Sequence, residues 1–365
     1  MDFALTSDQR LMQESLARTL AEASPLDRVR KFAGDHGDQG ADVWRALADF
    51  GLAGVVVPEE HGGLGLGLLD AALASEALGA AVAPAPLMGA VLAPLALLRG
   101  GSAAQQGQWL PKLASGEVLA AVALSEAVAG ARDGAGVTAT RGKLSGKALF
   151  VPGGLAAGLL IVADFEGGLH VVRGDAAGVS RSFLPGIDET RRLAELTFDG
   201  VAAEPLDGGP GLLDTLRDAA WTLIAADTLG AAQAMLDKAV AYAKERRQFG
   251  RVIGSFQAVK HLCAEMAAEL EPCRSLVWYA AYAFDAAPPN APGEASLMAA
   301  HAKALTSEVG RFVARTSTEV HGGMGITDLL GLHFWFKRIG LNRQLLGGPE
   351  RVREVAARLQ GLAAA

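Results

Sequence analysis

The sequence predicts an α+β protein built as helices, then a β unit, then a helical bundle. Apolar residues recur at helical spacing through the first third of the chain and again through its last part. Between them, short β-type runs alternate with Gly, Asp and Pro. At 365 residues the chain is long for one core, and the two changes of period divide it into 1–118, 119–208 and 209–365.

Leu5 to Glu22 reads as the first helix, with Ser7 placed to cap it. Val43 to Phe50 is a short helix stopped at Gly51, and Val55-Val56-Val57 is an extended run broken by Pro58 and a Gly-rich loop. Helix returns from Leu69 to Leu78 and from Gln106 to Leu113. Residues 77 to 98 carry no charge, long enough to raise a membrane span. Pro84, Pro86 and Pro94 interrupt them, however, and Ala and Gly dilute them, so two buried helices joined by a Pro-rich turn are expected, with no membrane span.

The middle third holds the runs 121–124, 137–140, 159–162, 170–172 and 196–198, which predict a small antiparallel sheet or barrel. After Gly208-Gly209-Pro210 the pattern is helical again. Helices are expected over Leu212 to Lys244, Phe256 to Phe284, Ala295 to His321 and Val352 to Leu362, with Pro288, Pro289 and Pro292 in a loop. Four such helices make a bundle.

Half of the residues are hydrophobic and only 6% aromatic, which favours helix packing through small side chains. A net charge of −7 with dispersed basic residues argues against a nucleic-acid partner. Cys263 and Cys273 are ten apart in one predicted helix, a spacing for neither zinc nor a redox pair, and a reducing cytoplasm is the plain reading. None of the seven histidines forms a metal-ligand pair at helical spacing. The amino terminus leads straight into a charged amphipathic segment, with no signal peptide expected.

The most informative segment is Glu245-Arg246-Arg247-Gln248-Phe249-Gly250-Arg251-Val252-Ile253-Gly254-Ser255-Phe256-Gln257. A basic cluster, a tight turn and a Gln at a helix start suit an anion with a polar aromatic head, such as the pyrophosphate and adenine of a dinucleotide. A solvated turn would give the same composition. Arg-x-x-Phe-Gly followed by Gln resembles the cofactor-binding signature of the acyl-CoA dehydrogenase family. Residues 1–6, 57–65 and 109–117 resemble landmarks of that family's first half, and Val320-His321-Gly322-Gly323-Met324-Gly325-Ile326-Thr327 resembles its C-terminal glycine loop. Four landmarks in order span nearly the whole chain.

The resemblance implies the acyl-CoA dehydrogenase fold with a C-terminal four-helix bundle, and FAD-dependent α,β-dehydrogenation of an acyl-CoA thioester. A carboxylate takes the α-proton while the β-hydrogen leaves as hydride to the flavin. It also implies a tetramer with each FAD across a subunit interface, and an electron-transfer flavoprotein as acceptor. On that pattern Arg246 matches the pyrophosphate contact, Phe249 the aromatic near the adenosine, and Gln257 a polar contact. Gly322 and Gly323 let the backbone approach the dinucleotide, or else simply end a helix. Glu319 stands where the family usually has Gln.

The flavin-ring half departs from the pattern. Ser125 still offers a hydroxyl in Leu124-Ser125-Glu126, but Leu149-Phe150-Val151 replaces the usual Trp-Ile-Thr, removing the ring-facing Trp and the Thr hydroxyl. The two places where the family carries its base hold Ala220 and Leu346 or Gly347. Asp218 lies about 200° around the helix from Ala220, and Glu350 is expected to start the last helix. Three readings follow: a subunit whose partner, a second dehydrogenase-like chain, carries the ring and base; a self-sufficient homotetramer with an atypical site; or a non-catalytic scaffold. A bulky acyl-CoA, as in steroid side-chain shortening, is the substrate expected from resembling bacterial enzymes.

Overall fold

The structure, a computed structural model, describes residues 4–132, 134–287 and 293–363. Met1 to Phe3 and the loop prolines Pro288, Pro289 and Pro292 lie outside the described residues. Six helices open the chain: α1 (Ser7–Ala23), α2 (Leu26–Gly34), α3 (Ala41–Asp49), α4 (Leu68–Ala80), α5 (Leu87–Gly100) and α6 (Ala103–Ala114). The first helix is capped one residue earlier than expected. Thr6 accepts from the Gln9 amide at 3.2 Å and the Gln9 side chain returns the bond, a reciprocal capping box that Ser7 cannot form.

The uncharged stretch does form two buried helices, α4 and α5, joined by the turn with Pro84 and Pro86. Pro94 breaks nothing and lies inside α5. No described helix is long and apolar enough to cross a membrane. Val55 to Val57 is buried but is no strand, because the Gly-rich loop folds back on it. The amides of Leu66 and Gly65 bond the carbonyls of Val55 and Val57 at 2.9 and 2.8 Å, and a Cβ on Gly63 would lie 2.1 Å from the Val57 oxygen.

The middle of the chain is two sheets rather than one. Strands β1 (Ala120–Ala123), β4 (Leu159–Ala163), β5 (Leu169–Arg173) and β8 (Glu204–Pro205) form the first; β2 (Gly136–Thr140), β3 (Lys143–Pro152), β7 (Leu193–Ala202) and β6 (Val179–Leu184) form the second. The second is antiparallel throughout. In the first, β1 pairs with β4 in parallel, since the chain crosses through the short helix α7 (Ser125–Ala129), β2 and β3 before it returns. The sheets meet over Val137, Leu144, Val151, Leu160, Leu196 and Phe198. The sequence hid β3 and β6. Register shifts at Leu144/Gly146 and Ala148/Val151 break the alternation in β3.

The last part is helical: α8 (Pro210–Glu245), α9 (Gln257–Ala286), α10 (Gly293–His321), α11 (Leu332–Gln344) and α12 (Pro349–Leu359). The helix α11, unread in the sequence, carries buried Arg338 and Asn342, whose polarity masks its periodicity. The central helix α8 is buried on several sides by Leu216, Ala219, Trp221 and Ile224, as expected of a helix inside a bundle. It crosses α4 at glycine contacts: a Cβ on Gly230 would lie 1.8 Å from the backbone carbonyl oxygen of Glu76, and one on Gly79 would lie 2.0 Å from the backbone carbonyl oxygen of Asp227.

Candidate functional site

Two separate surfaces carry the residues singled out above. The first lies at one end of the bundle. Helix α8 stops at Glu245, and a hairpin of β9 (Arg247–Gln248) and β10 (Arg251–Val252) follows. Phe249 and Gly250 make its turn with φ of 50° and 77°, the left-handed pair that a two-residue hairpin turn demands. That turn throws the Phe249 ring outward, 90% exposed, with only an edge contact to Phe256 at 6.2 Å. Arg246, Arg247, Arg251 and Gln257 are all exposed, and Gln257 begins α9.

The glycine loop stands beside that hairpin. The rings of Tyr242, one turn before Arg246, and His321, just before Gly322, lie 4.7 Å apart and bring the ends of α8 and α10 together. Gly322 and Gly323 are exposed, and a Cβ on either would meet nothing within 4 Å. Gly322 takes φ 58°, the left-handed conformation that ends α10, while no contact or left-handed backbone angle inside this chain requires glycine at 323. Glu319, one turn earlier, is exposed too. Several guanidinium groups, a bare aromatic and open glycine backbone fit the diphosphate and adenine of FAD.

The second surface is a cavity of about 90 Å³ between the β unit and α11. Ser125 lines it from the first position of α7, with Glu126, Phe150, Leu345 and Leu346 around it. Leu149 and Phe150 fall in the bulge of β3, where the ladder to β7 is interrupted and Phe150 takes φ 56°. The Leu149 amide instead donates to Glu126 Oε1 at 2.9 Å. Burial pushes the Glu126 carboxyl up, against the pull of that amide. Val151 is turned into the core between the sheets and pairs with Ala194. The aromatic side chain on this cavity is thus Phe150, one residue beyond the position where the resemblance looks for Trp. The sequence singled out neither Glu126 nor Phe150 as a site residue, because only the bulge brings them to one wall. The fit to a flavin ring is poor here, since Val151 offers no hydroxyl.

Neither expected base position holds an acid. Ala220 is fully buried in α8, and Leu346 is 6% exposed. Asp218 is buried away from the cavity, paired with Arg217 at 2.8 Å and bonded by the Ser296 hydroxyl, with burial pushing its pKa up. Glu350 sits in the first turn of α12, exposed and paired with Arg343 at 3.2 Å. Glu126 is the one carboxylate lining this cavity among the described residues.

Residues 6–117 match the profile of the acyl-CoA dehydrogenase N-terminal domain, and residues 218–360 that of the acyl-CoA dehydrogenase C-terminal domain. The chain is 35% identical to acyl-CoA dehydrogenase IpdE2 of Mycobacterium tuberculosis, over 97% of this chain and 96% of that protein. Among solved structures, a Tcur3481–Tcur3483 steroid ACAD superposes with a TM-score of 0.87 at 31% identity, over 97% of this chain and 98% of that one. The ChsE4–ChsE5 complex of Mycobacterium tuberculosis superposes with a TM-score of 0.89 at 25% identity, over the full length of both chains.

Proposed function

Because this chain belongs to the acyl-CoA dehydrogenase family, a family of FAD flavoproteins, we propose that it is one subunit of a two-chain enzyme that dehydrogenates an acyl-CoA thioester. In this reading the chain supplies the adenine side of the FAD site and a second, dehydrogenase-like chain supplies the ring side and the base. The observation that carries it is the contrast between the two surfaces. Arg246, Phe249, Gln257 and the Gly322-Gly323 backbone stand open at the bundle end, while Ala220 and Leu346 are buried and apolar.

Arg246 would pair with the diphosphate, where charge-assisted bonds are strong, and Phe249 would pack on the adenosine. Glu319 must turn away from the phosphates, since a carboxylate beside them is repelled. FAD, which Arg246, Phe249 and the Gly322-Gly323 backbone would hold, would supply the acceptor for the β-hydrogen as hydride. The α-proton goes to a carboxylate of the partner chain, because Ala220 and Leu346 have none to offer. An electron-transfer flavoprotein would be the acceptor, as the family implies. The two relatives named as a Tcur3481–Tcur3483 steroid ACAD and a ChsE4–ChsE5 complex support a two-chain assembly and a bulky, steroid-derived acyl group. A reducing, cytoplasmic setting suits the two free cysteines.

The reading is tested by producing the chain with and without a second dehydrogenase-like chain that retains Trp-Ile-Thr and the base. Flavin content and acyl-CoA turnover should need both chains. A second reading, a self-sufficient enzyme with a relocated base, is favoured by one observation: Glu126 lines the ring-side cavity with its pKa raised. Against it, one Glu126 oxygen is already engaged by the Leu149 amide.

A further inference from the structure

The two arms of the adenine-side surface meet over one buried side chain. His321, the last residue of α10, is 5% exposed, and its ring lies 4.7 Å from that of Tyr242, tilted by 31°. Tyr242 stands on the last turn of α8, where its carbonyl accepts the Arg246 amide at 2.8 Å. The Arg246 carbonyl in turn accepts the Ile253 amide at 2.7 Å, so the base of the hairpin is tied to Tyr242. On the other side Gly322 follows His321 directly, and the glycine loop folds back over it. Gly325 is buried there, and a Cβ on it would lie 2.6 Å from the Thr318 carbonyl oxygen and 3.0 Å from the His321 Cβ.

The imidazole is held in one plane. Burial keeps its pKa below the ordinary value, with the Lys238 amine beside it, against the pull of the Ser317 and Lys238 carbonyls. A neutral imidazole has a single N–H. Nδ1 lies 2.7 Å from the Ser317 carbonyl oxygen and carries the proton there. Ser317 is itself fixed, since it is fully buried and its hydroxyl donates to the Met235 carbonyl of α8 at 2.8 Å. A leucine would fill the same gap without the cost of desolvating a polar ring. What the imidazole adds is direction: the bond to Ser317 sets the ring plane, and the ring sets where Tyr242 rests.

We infer that His321 is a positioning residue for the adenine side of the FAD site. It sets the spacing between Arg246 on the hairpin and the Gly322-Gly323 backbone, and being buried it touches no cofactor itself. Hydrogen bonds to a diphosphate demand donors at defined distances and angles, which two loosely joined arms would not keep. Arms already set at the right spacing lose less freedom when the cofactor binds. The inference rests on the reading of this surface as the adenine side, and it holds whether the base lies in this chain or in a partner.

The test is a titration of the assembled, flavin-free enzyme with FAD, followed by quenching of flavin fluorescence. His321→Ala, which removes both the ring contact and the hydrogen bond, should raise the FAD dissociation constant by about ten-fold or more. His321→Phe keeps a ring against Tyr242 but has no N–H for Ser317, and should raise it by about three-fold, as for one lost hydrogen bond. Tyr242→Ala should match His321→Ala, and the double variant should lose no more than either alone, since both remove one contact. A merely structural residue would lower the melting temperature and leave the dissociation constant of the folded assembly unchanged. Arg246→Ala reports on the surface itself: unchanged FAD affinity there would sink the adenine-side reading and this inference with it. Weaker binding in Arg246→Ala but wild-type affinity in both His321 variants overturns the inference alone, as do additive losses from His321→Ala and Tyr242→Ala. Should His321→Ala fail to fold, His321→Phe decides by the same comparison.

Discussion

Trp221 donates its indole N–H to the carbonyl oxygen of Leu346 at 2.8 Å. The bond ties together the two places where the family keeps its catalytic carboxylate, since Trp221 follows Ala220 directly. It also helps hold Leu346 at φ 57°, in the left-handed region, with its side chain packed in the core. An acid at either place would have to be buried among apolar neighbours, where the charged form is heavily disfavoured. Neither Ala220 of α8 nor Leu346 in the turn after α11 carries the base that this family's chemistry needs.

The chain purified alone should be flavin-poor. Val151 is buried between the sheets and cannot bond a ring edge, while Phe150 and Leu346 occupy the cavity wall. Absorbance after denaturation measures the bound flavin. A yellow preparation with about one FAD per chain would favour the self-sufficient enzyme.

Arg246→Ala should strip FAD from the assembled enzyme while leaving its melting temperature nearly unchanged. An exposed Arg with no ion-pair partner among the described residues contributes little to stability, whereas an Arg on a diphosphate makes charge-assisted bonds. A fall in melting temperature with flavin content unchanged would make Arg246 structural.

Glu126→Gln, Glu350→Gln and Asp218→Asn should each leave turnover per intact complex within a few-fold of wild type. Gln keeps the oxygen that accepts the Leu149 amide but cannot take a proton, so this change separates a strut from a base. Loss of a true base costs roughly a hundred-fold or more. Asp218→Asn should also lower stability, by only about 1 kcal/mol, because Arg217 keeps its pair with Asp214 and Asn still accepts a hydrogen bond.

Stability should rise with pH between about 7 and 9. Lys303 is buried in α10, its amine donating to the carbonyls of Asn342 and Arg343 at 2.6 and 3.2 Å, and burial pulls its pKa down to about 7. The unfolded chain then binds a proton that the folded chain has lost, so raising the pH favours the fold, by about 1.4 kcal/mol per unit for a single proton. Chemical denaturation at several pH values measures the slope. Lys303→Met should flatten it, and an unchanged slope would assign the effect to other groups.

Order and type of the long elements were legible because α8, α9 and α10 are long periodic runs, and because Pro and Gly punctuate the connections. The sheet pairing was not, since β1 pairs with β4 and β3 with β7, each far along the chain, and β3 hides its alternation behind two bulges. The adenine-side residues were legible because they form one contiguous segment and one loop, and the fold brings the two together through Tyr242 and His321. Glu126 and Phe150 were not, because they share a wall only through the bulge at Leu149. Nor was the Arg191–Asp227–Arg338 ion-pair cluster, whose members come from three distant segments and are joined only by the packing of α8, α11 and the turn before β7.

The divided site is tested most directly by reconstitution. This chain, a candidate partner chain, and the two together are each saturated with FAD, desalted, and assayed for bound flavin and acyl-CoA-dependent reduction of a dye acceptor. The account predicts no turnover from this chain alone, and flavin retention and turnover from the pair that both collapse when the pair is made with Arg246→Ala. Stoichiometric FAD and full turnover from this chain alone would contradict it.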